Sequence, residues 1–154
     1  MTDSTAIRFS REGDFDQWLP LWEAYNSFYG RAGETALPEE ITRSTWTRFH
    51  NPAEPVHCLV AERDHQLVGL VHFIFHRTTI SIAPTCYLQD LFTLKSERGK
   101  GIGRKLIEAV YQQARQAGCA RVYWLTHETN TEAMQLYDKV AELSGFVQYR
   151  KGLQ

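Results

Sequence analysis

A glycine-rich turn between a strand-like run and a strongly amphipathic helix constrains the fold of this chain more than any other segment. The turn consists of Arg98, Gly99, Lys100, Gly101, Ile102, Gly103 and Arg104. Glycines let a turn pass close to a ligand, and the helix that follows presents unpaired N–H groups and its positive dipole end to that ligand. The basic side chains add positive charge. The segment therefore predicts a phosphate-binding turn.

Two better-known glycine signatures do not fit this segment. A Walker A loop needs Ser or Thr after the Gly-Lys pair and a glycine five positions before it, where the chain has Gly101 and Leu94. A dinucleotide fingerprint starting at Gly99 needs a glycine at the position of Arg104, and one starting at Gly101 needs a glycine at the position of Leu106. The pattern that remains is R-x-x-G-x-G.

The composition indicates one domain and a small partner. A chain of 154 residues with 43% hydrophobic content can bury one core, so we expect a single domain over residues 1–154. The net charge of -1 and the scattered basic residues argue against nucleic acid and membrane surfaces as partners. The N-terminus lacks a basic segment followed by an apolar core, and no apolar run approaches the roughly 20 residues that span a bilayer, which favours a cytoplasmic location.

Cysteine and histidine spacing indicates neither disulfides nor a metal site. Cys58, Cys86 and Cys119 are odd in number, widely spaced and set among apolar neighbours, which is typical of buried thiols. The six histidines show no H-E-x-x-H motif and no paired Cys/His spacing. We therefore predict that the chain holds no metal.

Hydrophobic periodicity and turn residues divide the chain into strands and helices. Strands are predicted over 6–9, 56–62, 66–75, 86–94, 121–126 and 146–151. Helices are predicted over 15–29, 39–49, 102–117 and 131–143. A polar turn at 63–65 joins two of the strands into a hairpin, and the strand, helix and strand around the glycine turn form a right-handed crossover unit.

The pattern R-x-x-G-x-G between a strand and a helix resembles the acyl-CoA pyrophosphate loop of the GNAT superfamily of N-acetyltransferases, and the order of elements resembles the GNAT fold over nearly the full chain. The resemblance implies an α/β (α+β) fold with a mixed, mostly antiparallel twisted sheet, helices on both faces and a β-α-β core that binds acyl-CoA. It implies acetyl-CoA as cosubstrate, held by the glycine turn and by Leu91, Phe92 and Thr93. Neighbouring strands in this fold part near Leu91 and Phe92, so a backbone N–H there is expected to polarise the carbonyl.

Asn130 and Tyr137 form the second motif. Their spacing of seven residues returns both side chains to one helix face, about 10.5 Å apart along the axis. A phenol with an ordinary pKa of about 10 can protonate a thiolate whose conjugate acid titrates near 8.5 to 10. The segment resembles the N-x-x-A-x-x-L-Y segment of GNAT enzymes, in which Asn contacts pantetheine and Tyr is the general acid. Asn130 could instead cap its helix, although Thr129 and Glu132 make a capping box, and Tyr137 could be a core aromatic.

A carboxylate on the strand before the turn is the leading candidate for the base. Alternation places Asp90 on one face with Leu88 and Phe92, in an apolar row. A substrate ammonium must lose a proton before it attacks, and Asp90 could take that proton directly or through water. Asp90 could instead pair with a neighbouring Arg or Lys, or only bind the substrate. Glu128 is a second candidate base, and His127 beside it could relay protons.

The runs over 57–62 and 87–92 are similar to the spermidine/spermine acetyltransferase branch and to related small-amine or histone-type enzymes. Such enzymes commonly form dimers, which implies a homodimer. The chain departs from that branch at Gln89, where the polyamine enzymes usually have Glu, and an amide is no proton acceptor, so the base and the substrate stay open. Residues 138–144 also delay the Gly-Phe pair that the family usually reaches sooner, so we expect a last helix one turn longer.

The first two helices and their loop are expected to line the amine pocket, with Tyr29 and Glu34 offering an aromatic face and negative charge to a cation. The sequence thus predicts an acetyl-CoA-dependent N-acetyltransferase that acts on the primary amine of a small polyamine-like or amino-acid-like molecule. The amine attacks directly, without an acyl-enzyme, and Tyr137 is the general acid. A protein or histone lysine acetyltransferase and a non-catalytic acyl-CoA-binding sensor are the alternatives.

Overall fold

Five strands form one mixed sheet in the computed structural model, which describes residues 4–154. The strands are β1 (Ala6–Phe9), β2 (Val56–Arg63), β3 (Gln66–His76), β4 (Thr85–Thr93) and β5 (Val122–Tyr123). They lie in sequence order, the first four antiparallel to one another and β5 parallel to β4. The predicted mixed, mostly antiparallel sheet is confirmed. Residues 1–3, which carry part of the expectation that no leader segment is present, lie outside the described residues.

The described residues also form four α-helices. They are α1 (Phe15–Phe28), α2 (Glu39–Phe49), α3 (Ile102–Gln116) and α4 (Thr131–Val140). The first two connect β1 to β2, and α3 makes the predicted crossover from β4 to its parallel neighbour β5. None of the helices within residues 4–154 combines the length and the apolar character needed to cross a bilayer.

Helices cover both faces of the sheet, as predicted. On one face, Trp18 of α1 and Trp46 of α2 pack against Leu70 of β3. On the other face, α3 packs against Val71 of β3. The apolar stripe of α3 is made of Ile102, Leu106, Ile107, Val110 and Ala114. Full burial of one such large aliphatic side chain stabilises the fold by about 1.5–3 kcal/mol, so these two layers hold the sheet in place.

One extra residue in β4 changes which side chains face which layer. His72 pairs with Asp90 and Phe73 pairs with Leu88, so Gln89 has no residue opposite it on β3. Such a bulge shifts the alternation of the strand by one position. Leu88 therefore packs into the α3 layer, whereas Asp90 faces the α1 layer. The prediction that Asp90 shares a face with Leu88 is wrong for this reason.

The pairing between β4 and β5 is short. It joins Cys86 to Val122 and Tyr87 to Tyr123, and β5 is much shorter than the predicted strand over 121–126. In the described sheet, residues 88–93 of β4 therefore have β3 on one side and no paired residue of β5 on the other. This is the parting of neighbouring strands that the resemblance to the GNAT fold implied.

The end of the chain differs from the prediction. Helix α4 ends at Val140, so the last helix is not one turn longer, and Ala141 leaves it with extended backbone angles. Residues 141–154 are exposed, and within residues 4–154 the predicted strand over 146–151 does not form. A strand needs a partner for its backbone groups, and within residues 4–154 this segment pairs with no strand, although the outer edge of β5 is open.

Candidate active site

The glycine turn adopts the backbone geometry of an anion-binding helix start. Gly99 and Gly101 have φ angles of +81° and +80°, in the left-handed region that favours glycine. Gly101 is the N-cap of α3, and its carbonyl accepts the first helical bond from the Lys105 N–H at 3.1 Å. The N–H groups of residues 102–104 precede this bond, at the positive end of the helix dipole. The turn can therefore present several donors to a diphosphate.

Acidic residues of the chain hold part of the positive charge near this turn. Glu97 accepts hydrogen bonds from Lys100 at 2.9 Å and from Arg63 at 3.2 Å, and the Lys100 ammonium lowers the pKa of Glu97 below its ordinary value. Arg104 donates to Glu108 at 2.9 Å. The Arg104–Glu108 pair is exposed on both sides, so it contributes little stability. Because Lys100 and Arg104 are already paired with carboxylates, the donors that the turn offers to an anion are its backbone N–H groups.

Helix α4 packs beside the glycine turn and carries the predicted Asn130 and Tyr137. A Cβ placed on Gly103 would lie 3.5 Å from Leu136, so the two helices meet there. Tyr137 is half-buried, with its ring 5.4 Å from the ring of Trp124. Burial, and to a smaller extent the nearby Tyr29, raise the pKa of the Tyr137 phenol above its ordinary value. The phenol is therefore protonated throughout the neutral range.

The start of α4 corrects one detail of the sequence reading. The N-cap is Asn130, not Thr129, so the predicted capping box is wrong. The Thr129 hydroxyl instead contacts His127 Nδ1 at 2.6 Å, because the turn before the helix brings these two residues together. Within residues 4–154 the Asn130 side chain makes no capping hydrogen bond. Its amide is thus available to another group.

Asp90 ends a buried line of hydrogen-bonding groups under α1. The Trp18 indole N–H donates to His72 Nε2 at 3.1 Å, and His72 Nδ1 contacts Asp90 Oδ2 at 2.8 Å. Burial and the neighbouring Asp90 carboxylate raise the pKa of the Tyr25 phenol. Within the described residues, the side chain that hydrogen-bonds to Asp90 at 2.8 Å is a histidine rather than the Arg or Lys considered from the sequence. The sequence assigned no role to His72 or Trp18, although a histidine inside an apolar strand was a usable signal.

Tyr29 lies between the Asp90 end of the site and Tyr137. Its ring centroid is 5.0 Å from that of Tyr25, and Arg31 lies over the Tyr29 ring at 5.5 Å. Tyr29 also influences the pKa of Tyr137. The aromatic ring is 44% exposed, so a ligand can reach it. Electrostatic interactions thus connect Asp90 to Tyr25, Tyr25 to Tyr29 and Tyr29 to Tyr137.

Two predicted carboxylates are not drawn into this group. Glu128 is exposed on the loop between β5 and α4, and Glu34 is exposed in the short 3-10 turn Gly33–Thr35. Neither has a hydrogen bond or an ion pair inside the part of the chain that the structure describes. Their roles as second base and as substrate contact stay predictions.

A cavity of about 430 Å³ opens between α1, the loop after it and α2. Trp22 and Glu23 of α1 line this cavity together with Arg31. Tyr29 and Glu34 are not among its lining residues. The volume is within the range of small-molecule sites. The first two helices and their loop therefore enclose space, but not around the two predicted residues.

Comparison with known proteins identifies the family. Residues 18–141 match the Acetyltransferase (GNAT) family. The D-amino-acid N-acetyltransferase of Saccharomyces cerevisiae is 31% identical over 153 residues, covering 98% of this chain and 92% of that protein. The thialysine N-epsilon-acetyltransferase of Mus musculus is 29% identical over 162 residues, covering 96% of this chain and 92% of that protein. A solved aminoglycoside N-acetyltransferase in complex with CoA has the same fold, with a TM-score of 0.84 at 18% identity over 100% of this chain and 98% of that chain.

The chain belongs to the GNAT acetyltransferase family, and it is an N-acetyltransferase. The predicted GNAT fold is confirmed by the five-stranded mixed sheet and by its solved neighbours. The names of the two relatives agree with the small-amine branch that the runs over 57–62 and 87–92 indicated.

Proposed function

We propose that this enzyme transfers an acetyl group from acetyl-CoA to the primary amine of a small amino-acid-like or polyamine-like molecule, by direct attack. The observation that carries the proposal is the left-handed glycine turn at the start of α3, which lies beside both the unpaired edge of β4 and α4 with Tyr137. The two relatives named for D-amino acids and thialysine support a small acceptor.

The residues present fit a bound acyl-CoA. Gly99 and Gly101 hold the φ angles that let the turn approach a diphosphate, and the uncapped Asn130 amide is suited to a pantetheine amide. Residues 98–104 would hold the diphosphate, and Leu91, Phe92 and Thr93 would hold the acyl arm along the edge of β4. When bound, acetyl-CoA supplies an acetyl group activated as a thioester.

The chain's own groups supply the remaining chemistry. Asp90 accepts a proton from the substrate ammonium, directly or through water, so that the amine can attack. A backbone N–H near Leu91 or Phe92, on the edge of β4 without a paired residue of β5, polarises the carbonyl. Tyr137 Oη holds the proton that the departing thiolate takes. Tyr29 contacts the acceptor, and Glu34 and Glu128 stay secondary candidates for substrate binding and for the base.

Burial of the cysteines supports direct attack over an acyl-enzyme. Cys58 and Cys86 are buried and Cys119 is half-buried. Burial raises the pKa of the Cys86 thiol to about 12 and also raises the pKa of the Cys58 thiol. A thiol that stays protonated is a poor nucleophile.

Two other functions share the cofactor motifs. A protein or histone lysine acetyltransferase would release CoA with peptide acceptors and not with small amines, so a panel of amines beside a panel of peptides separates the two. A non-catalytic acyl-CoA-binding sensor would bind acetyl-CoA and release no thiol with any amine.

The glycine turn gives the direct binding test. Replacing Gly101 with valine should weaken CoA binding roughly 10- to 100-fold, because a β-branched residue at a φ of +80° is strained by more than about 1–2 kcal/mol. Isothermal titration calorimetry with CoA measures the change. Gly13→Val is the matched control, since a Cβ there meets no atom within 4 Å and its φ is not in the left-handed region. Parent-like affinity of Gly101→Val would show that this turn does not hold the diphosphate.

We also propose that the enzyme is a homodimer in which the end of one copy pairs with the sheet of the other. The segment after α4 exposes large apolar side chains at 78–94%, namely Leu143, Phe146, Val147, Tyr149 and Leu153. Such a run marks an interaction site. In the described sheet β5 pairs with β4 and has an open outer edge, which can accept an added strand. A second copy supplies both the strand and the edge, and this gives the predicted strand over 146–151 its partner.

Removal of the segment tests the dimer. Deleting residues 145–154 should convert a dimer into a monomer, whereas deleting 152–154 should leave the dimer intact, because the pairing strand is then retained. Analytical ultracentrifugation at the assay concentration measures both. A full-length chain that sediments as a monomer, or a shortened chain that stays dimeric, would contradict this assembly.

A further inference from the structure

His72 is a buried histidine to which the proposed transfer step gives no role. Its residue is 2% exposed, and its ring lies 5.1 Å from that of Trp22 and 4.6 Å from that of Phe49. Both ring nitrogens have partners, Trp18 on one side and Asp90 on the other. When both ring nitrogens of a buried histidine have hydrogen-bond partners, the orientation of the ring and the position of its proton are fixed by those partners.

The partners decide where the proton of His72 lies. An indole N–H donates and cannot accept, so the Trp18 bond at 3.1 Å requires a lone pair on His72 Nε2. A neutral imidazole with a lone pair on Nε2 carries its proton on Nδ1. The 2.8 Å contact is then a hydrogen bond donated by Nδ1–H to Asp90 Oδ2. An imidazolium would place its Nε2–H against the indole N–H, and two donors cannot form a hydrogen bond with each other.

We propose that His72 is a positioning residue for the transfer reaction, which holds the Asp90 carboxylate in one orientation as the neutral Nδ1–H tautomer and takes no proton from it. The inference rests on the proposed role of Asp90. Because the line of hydrogen bonds through His72 ends at the Trp18 indole, a donor with no acceptor capacity, this line offers no exit to a proton captured by Asp90. Asp90 retains some exposure, at 9%, so the proton can leave on the substrate side.

The other groups around Asp90 show why the His72 Nδ1–H donor matters. Asp90 interacts with Tyr25 from α1 both electrostatically and by a hydrogen bond, acts electrostatically on Cys58 from β2 and Tyr87 from β4, and contacts His72 from β3. With His72 neutral, none of these four groups is a cation. The Nδ1–H is then a fixed donor to the carboxylate. A hydrogen bond donated to a carboxylate favours its charged form.

Kinetics of His72 variants test the positioning role. His72→Leu should lower kcat/KM for the amine roughly 10- to 100-fold, move the acid limb of the pH profile to higher pH and leave the KM for acetyl-CoA unchanged. His72→Asn should restore much of the rate and the parent profile, because its amide N–H can replace Nδ1–H. His57→Leu is the matched control, a half-buried strand histidine that packs against Phe73 and Phe75 outside the site. An unchanged acid limb in both His72 variants would overturn the proposal, and a limb that moves in the leucine variant and returns in the asparagine variant would support it.

A measurement on the parent protein removes the dependence on variant folding. The nitrogen chemical shifts of the His72 imidazole, recorded by NMR at the assay pH, report its tautomer. A protonated Nδ1 with a free Nε2 supports the proposal, whereas an Nε2–H tautomer or an imidazolium overturns it. If no amine is acetylated by the parent, the proposed function fails, and the tautomer still decides whether His72 donates to Asp90. If acetylation is seen and the tautomer is wrong, the positioning role alone fails.

Discussion

Replacing Tyr137 with phenylalanine is expected to lower kcat roughly 100-fold and to leave the affinity for acetyl-CoA nearly unchanged. Phenylalanine keeps the ring that packs on Trp124 at 5.4 Å, so the packing of α4 is preserved. The variant loses the hydroxyl that holds the proton for the thiolate. Steady-state kinetics of CoA release, together with calorimetry of cofactor binding, separate the two effects.

The matched control is Tyr111→Phe. That hydroxyl donates to the Val140 carbonyl at 2.7 Å, so the control removes a phenol with a structural bond near the same helix. Its kcat should equal that of the parent. An undiminished kcat in Tyr137→Phe at saturating substrate would remove this residue from the mechanism.

The contribution of Tyr137 to kcat should be lost only at high pH. Burial raises the pKa of Tyr137 above the ordinary value of 10.0, and a general acid works while it is protonated. The contribution of Tyr137 is therefore fully present at neutral pH and is lost only as the pH rises through that raised pKa. A basic limb of kcat below pH 10 that disappears in Tyr137→Phe would contradict this burial effect.

Replacing Asp90 with asparagine is the second change with a large expected effect. Asparagine has nearly the same shape and can still accept the hydrogen bond from His72, but it cannot take a proton from the substrate. We expect kcat/KM for the amine to fall roughly 100-fold and the acid limb of its pH profile to disappear. The pH-rate profile of the purified variant measures both.

A comparison of kcat with KM distinguishes a base from a binding carboxylate. Loss of a base lowers kcat, whereas loss of a carboxylate that only attracts the ammonium raises KM with kcat retained. Asp138→Asn on the exposed side of α4 is the control for a change of one charge. A pH profile with the shape of the parent's would reject Asp90 as the base.

Local patterns predicted the elements well where a strong period or a clear stop was present. Strand β1 and helix α2 have the predicted bounds, Ala6–Phe9 and Glu39–Phe49. The glycine turn was also visible, because it requires only neighbours in the chain. What these features share is that short-range sterics and capping decide them.

The features that the sequence did not reveal depend on distant parts of the chain. The extra residue at Gln89 exists only relative to β3, so the alternation of β4 could not show that Asp90 and Leu88 face opposite layers. The hydrogen bond between His72 and Trp18 joins residues 54 positions apart, so it forms only when α1 packs on the sheet. The strand predicted over 146–151 does not form in the described residues, because a strand also needs a pairing partner that its local pattern cannot specify.

The unpaired Gln89 divides β4 into two parts that face different layers. The part before it packs Leu88 against α3, and the part after it is turned so that the Asp90 carboxylate enters the α1 layer. A substitution at position 89 preserves that arrangement, while a deletion there would rotate one half against the other and return Asp90 to the wrong side. During evolution this strand should therefore tolerate amino-acid substitutions far more readily than insertions or deletions.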